Sequence, residues 1–443
     1  MSTSTDSPRA PRPRVGRLRR RPGVALLAVG ALVALGACSG GDGSAGGDDD
    51  VTLTFAWWGD ASRAERYEKA IDLYEEKNPH VTIQSSYASF ADYWTSRNTE
   101  AASGSLPDVF QMDVSYLSQY GGSGQIAALD DFAEDGTIDI STFPENVMPA
   151  AKVDGRLVGI PTSTGGIANF FSTGLFDDLG VAVPAGDLTW DQYDDVLSQV
   201  GAAGADHDPE VNGSTQYVQI LSVFEIWLAQ HGKALYTPDG ALGFTEADLA
   251  EWWQRATPLF ADGGFVDPKR AEQLNGADVL GAGVTASELS FYNFLVRFSE
   301  GSAGGKFAML LPPADDTANR GLYLKPSLEL SMSATTEHPE EAARFIDFIA
   351  NDPEVSKEFG LSRGAPISQP ALDALEPEGL DKQILDYWEQ LAEVAGDTPP
   401  PPPEGAGAVE VEFTRIAQDI GFGTTSVDDG VKEFFSTAPG MLG

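Results

Sequence analysis

Residues 51–59 read Val-Thr-Leu-Thr-Phe-Ala-Trp-Trp-Gly (VTLTFAWWG), and this stretch sets the fold class. Val51, Leu53, Phe55 and Trp57 alternate with Thr52, Thr54, Ala56 and Trp58, which is the period of a β-strand. In Arg63 to Lys77, Ala64, Tyr67, Ile71 and Tyr74 recur at helical spacing, and Asn78-Pro79 stops the helix. Val81 to Ser85 (VTIQS) reads as a second strand. A helix from about Phe90 to Ser103 follows, and then residues 106–113 (LPDVFQMD) enter a third strand. Strand, helix, strand, helix, strand predicts an α/β fold with a parallel sheet and right-handed crossovers. The adjacent indoles pose a question, because alternation prevents both from facing one core. The expectation is that the strand ends in a cleft, where at least one of them meets a ligand.

Further on, 154–161 (DGRLVGIP) reads as a hairpin entering a crossing segment, and Ile167 to Ser172 as a strand. Trp190 to about Phe298 is rich in helical patterns, which include Trp252-Trp253 as a buried helix face. Lys306 to Leu311 and Leu328 to Met332 read as strands, and Pro339 opens a helix to Ala350. Pro399 to Pro403 is a stiff, extended surface connector. A last helix is expected near Val427 to Phe435.

The chain has 443 residues, enough for two or three domains. Its formal charge is −39, from 28 basic and 67 acidic residues. Up to residue 37 the charges are seven arginines and Asp6, so the remainder carries 21 basic against 66 acidic residues. Such a surface repels nucleic acid and anionic lipid. The single cysteine, Cys38, rules out an internal disulfide or a thiolate metal cluster, and the four histidines are scattered. No metal and no cofactor is expected. Residues 281–286 (GAGVTA) fit the spacing of a dinucleotide fingerprint, but only Asp278-Val279-Leu280 precede them where a strand is required.

Arg17 to Arg21 precede an apolar run from Val24 to Ala37, which reads as an export signal. The run ends in Leu35-Gly36-Ala37-Cys38, which resembles the bacterial lipobox. The resemblance implies a signal peptide over 1–37, cleavage before Cys38 and acylation of that residue. Residues 38–50 then form a flexible tether. The Arg19-Arg20 pair leaves open whether export is by the general or the twin-arginine route.

Seven segments in order carry a second resemblance: VTLTFAWWG, NPHVTIQ, SLPDVFQMD, LVGIPTSTGGIANFFSTGLFDDLGV with TWDQY, GKFAML, HPEEAARFIDFIANDPE and RGAPIS. Together they are similar to the sugar-binding group of bacterial extracellular solute-binding proteins, which serve ATP-driven (ABC-type) importers. The resemblance implies a two-lobe periplasmic-binding-protein-like fold with an interlobe cleft and a hinge. Its lobes would be 51–161 with 326–360, and 162–325 with 361–443. It implies a monomeric receptor rather than an enzyme, anchored by lipid outside the cell membrane. Such a receptor captures a mono- or oligosaccharide and delivers it to permease subunits. A non-sugar solute such as a polyamine on the same fold, or an exported glycoside hydrolase, remains as an alternative.

Ligands of open α/β sheets bind outside the carboxyl ends of the strands. Trp57, Trp58 and Asp60 close the first strand, and Asp113 closes the third. An indole offers a flat apolar face and one N–H donor, and a carboxylate can accept two hydroxyls. Trp227 and Tyr292 in the helix-rich region, and Arg363 beside the third crossing, complete the expected ligand-binding set.

Overall fold

The computed structural model describes residues 50–274 and 278–442. The expected signal peptide over 1–37, the expected acylation of Cys38 and all of the expected tether except Asp50 lie outside the described residues. No helix among the described residues is long and apolar enough to cross a membrane.

Twelve strands form two main sheets and a hairpin. They are β1 (Val51–Trp58), β2 (Val81–Ala88), β3 (Val109–Met112), β4 (Lys152–Val153), β5 (Arg156–Leu157), β6 (Ile160–Gly165), β7 (Ile167–Ser172), β8 (Asn212–Ser214), β9 (Thr285–Phe291), β10 (Phe307–Leu310), β11 (Lys325–Met332) and β12 (Ala365–Pro366). The six-stranded sheet runs β12-β6-β11-β3-β1-β2, and the four-stranded sheet runs β10-β7-β9-β8. β1 pairs in parallel with β2 and with β3, as the alternation of strands and helices required. β11 returns antiparallel between β3 and β6.

The two tryptophans are explained by a sheet covered on both faces, as parallel sheets are. Trp57 is fully buried among Phe55, Tyr67 and Tyr87, on the face packed by the helices Ala61–Lys77 and Pro339–Asn351. Trp58 is 8% exposed and packs on the opposite face against Phe90, Tyr93 and Trp94 of the helix Phe90–Ser103. Each indole has its own core.

The region from Trp190 to Phe298 is less uniformly helical than its pattern suggests. Residues 285–291 (TASELSF) form β9, which pairs with β7 and β8 inside the second sheet. Thr285, Ser287 and Leu289 alternate with Ala286, Glu288 and Ser290, and this two-residue period outweighs the helical surroundings. Trp252 and Trp253 are both buried in the helix Glu246–Gln254.

The chain leaves the six-stranded sheet at Gly166, five residues beyond Pro161, near which the first crossing was expected. A Cβ at Gly166 would meet the tip of the Leu391 side chain, which would have to shift to admit it. The chain returns at Lys325, the start of β11. β12 also belongs to the six-stranded sheet, and the helix Leu380–Val394 packs on the second sheet's helix Leu295–Gly301.

Candidate functional site

Between the two sheets' helical layers lies a cleft of about 900 Å³. One wall comes from the helix Val114–Gly122, through Val114, Ser115 and Ser118, and from Lys152 to Asp154 at the β4–β5 hairpin. The opposite wall comes from the helix Leu221–Gln230, through Leu221, Ser222 and Glu225, and from the loop around Tyr236. Tyr323 and Lys325 line it where the chain re-enters the six-stranded sheet. Pro399 to Pro403 and Glu410 close the remaining side.

The polar centre of this cleft is Glu225. Its Oε2 accepts a hydrogen bond from the Tyr323 hydroxyl. Burial raises the Glu225 pKa, while the Tyr323 bond and the Lys325 ammonium pull it back down. Burial and the Glu225 charge together hold the Tyr323 phenol well above its ordinary value, so it stays a neutral donor. Nearby, the buried Tyr236 hydroxyl has no partner within the protein. A buried hydroxyl left unpaired costs about 1–3 kcal/mol, so a ligand group reaching Tyr236 would recover that cost.

The lining charges are balanced. The lining holds Asp154, Glu225, Asp397 and Glu410 with Lys152, Lys233, Arg320 and Lys325, four of each sign, and of these Lys233 and Arg320 are also ion-paired with Asp248 and Asp187 outside it. Acids outnumber bases by more than two to one in the whole chain, so the balance is local to the cleft.

The residues expected from the sequence occupy three settings. Trp57 and Trp58 sit in the two cores of the first lobe. Asp60 and Asp113 are N-caps. Asp60 accepts from the Arg63 amide at 2.9 Å, and Asp113 accepts from the Ser115 amide at 2.9 Å. Asp113 thereby fixes the first turn of the helix whose Val114 and Ser115 line the cleft. Trp227 is 2% exposed between Phe224 and the His231 ring. Tyr292 is fully buried at the junction of the two sheets. Its hydroxyl donates to the Thr164 carbonyl of β6 and accepts from the Ala365 amide of β12 at 2.9 Å. Its own amide bonds the Gly166 carbonyl at 3.0 Å. Arg363 is 7% exposed, with its guanidinium 3.6 Å from the centre of the Phe359 ring. None of the seven is among the side chains that line the cleft.

The lining residues that the sequence reading did not select left faint signals. Tyr323 and Lys325 fall at the expected lobe boundary between 325 and 326, and the proline run was read as a stiff connector. Glu225 lies two residues before Trp227, on a helix whose apolar pattern drew attention to the indole. Tyr236 has no local signature.

With the geometry in place, the chain can be set beside known proteins. Residues 56–355 match the model of the bacterial extracellular solute-binding protein family, and the chain belongs to that family. Among similar solved structures is an extracellular solute-binding protein family 1 member from Alicyclobacillus acidocaldarius. It is 28% identical over 89% of this chain and 99% of that one, with a TM-score of 0.71. A periplasmic oligogalacturonide binding protein from Yersinia enterocolitica, solved with saturated digalacturonic acid, shares the fold at 19% identity. It matches 88% of this chain and 98% of its own, with a TM-score of 0.75. An ABC substrate-binding protein from Listeria monocytogenes, solved with cycloalternan, does so at 20% identity, over 88% and 98%, with a TM-score of 0.72. The fold is the two-lobe fold of these binding proteins.

Proposed function

We propose that this protein is a lipid-anchored receptor that captures an oligosaccharide in the cleft and hands it to an ABC-type importer. The observation that carries this reading is the group formed by Glu225, Tyr323, Lys325 and the unpartnered Tyr236 hydroxyl, set in one cleft between two lobes. Carboxylate, ammonium and phenol together supply acceptors and donors for a polyol, and the two phenol rings offer faces for its C–H groups. Small-molecule sites commonly span about 300–1,000 Å³. A cleft of about 900 Å³ is near the upper end, which favours an oligosaccharide over a single sugar. That fold relatives hold a digalacturonic acid and a cycloalternan supports the same class.

The even balance of cleft charges favours a neutral or mildly charged solute over a polyamine, which needs a surplus of carboxylates. The Leu35-Gly36-Ala37-Cys38 motif supports anchoring on the outer face of the cell membrane, and the receptor is taken to act there as a monomer. Closure of the lobes around solute would present the form that the permease recognises. The receptor carries out no chemistry on its solute.

Isothermal titration with linear and cyclic oligosaccharides from disaccharide to hexasaccharide tests this. Saturable binding to at least one, with the sugar recovered intact, supports the reading. A folded protein that binds no member overturns the carbohydrate assignment, and hydrolysis of a bound member overturns the receptor assignment.

A further inference from the structure

Three buried nitrogen donors around the Tyr67 ring have no acceptor among the described residues: Trp57 Nε1, Gln111 Nε2 and Arg363 Nη1. Trp57 and Gln111 are fully buried, and Arg363 is 93% buried. The Trp57 ring centre lies 4.6 Å from that of Tyr67. The Tyr67 hydroxyl donates to Gln111 Oε1 at 3.1 Å. The Arg363 guanidinium carbon lies 5.9 Å from the Tyr67 ring centre. The register of β1 on β3 pairs Ala56 with Phe110, so Trp57 and Gln111 are side by side on one face of the sheet.

The surroundings are electropositive. Arg63 and Arg66, one turn apart on the helix Ala61–Lys77, act on Arg363 from the same side. Arg66 Nη1 donates to the carbonyls of Glu358 and Phe359, and Arg63 Nη1 donates to the Trp58 carbonyl at 3.1 Å. Seven other arginines among the described residues hold a carboxylate as an ion pair. Arg63, Arg66 and Arg363 do not, nor does Arg156 on β5, in a chain with 67 acidic residues. Burial lowers the Arg363 pKa, Tyr67 opposes this through its charge and a side-chain hydrogen bond, and the two neighbouring guanidiniums push the same way as burial. A buried cation with neither carboxylate nor full hydrogen bonding is costly in a low-dielectric interior.

We propose that this group of donors is a binding site for a small anion of the phosphate, sulfate or carboxylate type, accepting from the indole, amide and guanidinium N–H groups. An acceptor with several lone pairs satisfies donors arriving from different directions, and its charge offsets three guanidiniums. Arg63 and Arg66 are half-buried and connect the site to the surface. The site is separate from the cleft and does not depend on what the cleft binds.

The test uses the whole folded protein, with phosphate, sulfate and acetate each replacing chloride at constant ionic strength, read by titration calorimetry and thermal unfolding. Strongly hydrated salts stabilise most proteins without binding, so the decisive readout is a saturable response that a variant loses. Arg363→Met is expected to weaken the anion at least tenfold, and Arg63→Gln with Arg66→Gln to weaken it several-fold, with oligosaccharide affinity unchanged. The double variant carries the test should Arg363→Met not fold. A response that never saturates, or one equal in wild type and variants, overturns the proposal and leaves ordinary buried water as the partner of these donors. A response to acetate alone identifies a carboxylate site, and a response to sulfate and phosphate an inorganic oxyanion site.

Discussion

Tyr323 and Glu225 meet across the chain's return into the first lobe, the phenol of one donating to the carboxylate of the other inside the cleft. Tyr323 stands two residues before β11, and Glu225 belongs to the helix Leu221–Gln230. The bond therefore ties the chain's return into the six-stranded sheet to the opposite wall of the cleft.

Removing either partner should be felt in binding before it is felt in folding. Hydrogen bonds to charged groups contribute about 1.5–3 kcal/mol, so Glu225→Gln is expected to lower oligosaccharide affinity by roughly 10- to 100-fold. Tyr323→Phe should cost less, since water can reach the freed carboxylate. Titration calorimetry measures both, and unchanged affinity in Glu225→Gln would place the solute elsewhere.

Tyr292 holds the junction between the sheets through three bonds, two of them made by its hydroxyl. Tyr292→Phe strands the Ala365 amide and leaves the Thr164 carbonyl one bond poorer, at a cost of about 1–3 kcal/mol for an unsatisfied buried group. Denaturant unfolding should show that loss. Small-angle scattering without solute should show a broader spread of lobe separations than wild type. A variant as stable and as compact as the parent contradicts this role.

Two carboxyls make stability depend on pH. Glu329 is fully buried on β11 with neither oxygen bonded; burial first, and then the Asp113 charge, raises its pKa well above the usual range. Glu288 on β9 is pushed up to about 8 by burial and by Asp278. Both ionise near pH 4.3 in the unfolded chain. Below that value both states are protonated and stability is full. As the pH rises the unfolded chain loses these protons first, so stability falls until the folded carboxyls ionise, near pH 8 for Glu288. Melting temperature should therefore be higher at pH 5 than at pH 8, and Glu329→Gln should raise it at pH 8 and flatten the slope. A slope unchanged by that substitution refutes the assignment.

Trp227 is expected to act through packing. With the ring 2% exposed between Phe224 and His231, Trp227→Ala should destabilise by about 3–5 kcal/mol. Chemical denaturation reads this directly. A loss below about 1 kcal/mol would mean that the ring is not core.

How much could be read beforehand follows from which forces are local. The strand at 51–58 and the helices at 61–77 and 90–103 were legible because period, stop signals and caps lie within a few residues of one another. The β9 strand was not, since Glu288 and Tyr292 also fit a helical spacing and only pairing with β7 and β8 decides between the two. The face a residue takes at a strand end depends on which helices cover the sheet. Trp57 and Trp58 are claimed by two helical layers that the local sequence cannot locate. The cleft residues depend on still longer range. Glu225, Tyr236, Tyr323 and Glu410 come from four separate segments, and none has a periodicity that marks it as exposed to a solute.

The central claim is that solute lies between the helix Val114–Gly122 and the helix Leu221–Gln230. The direct measurement is a crystal structure with the tightest-binding oligosaccharide from the titration series. The expected result is sugar density within hydrogen-bond reach of Glu225 and the Tyr236 hydroxyl, with rings resting on Tyr323 or the proline run. Density confined to any other surface, with this cleft holding only water, would contradict it.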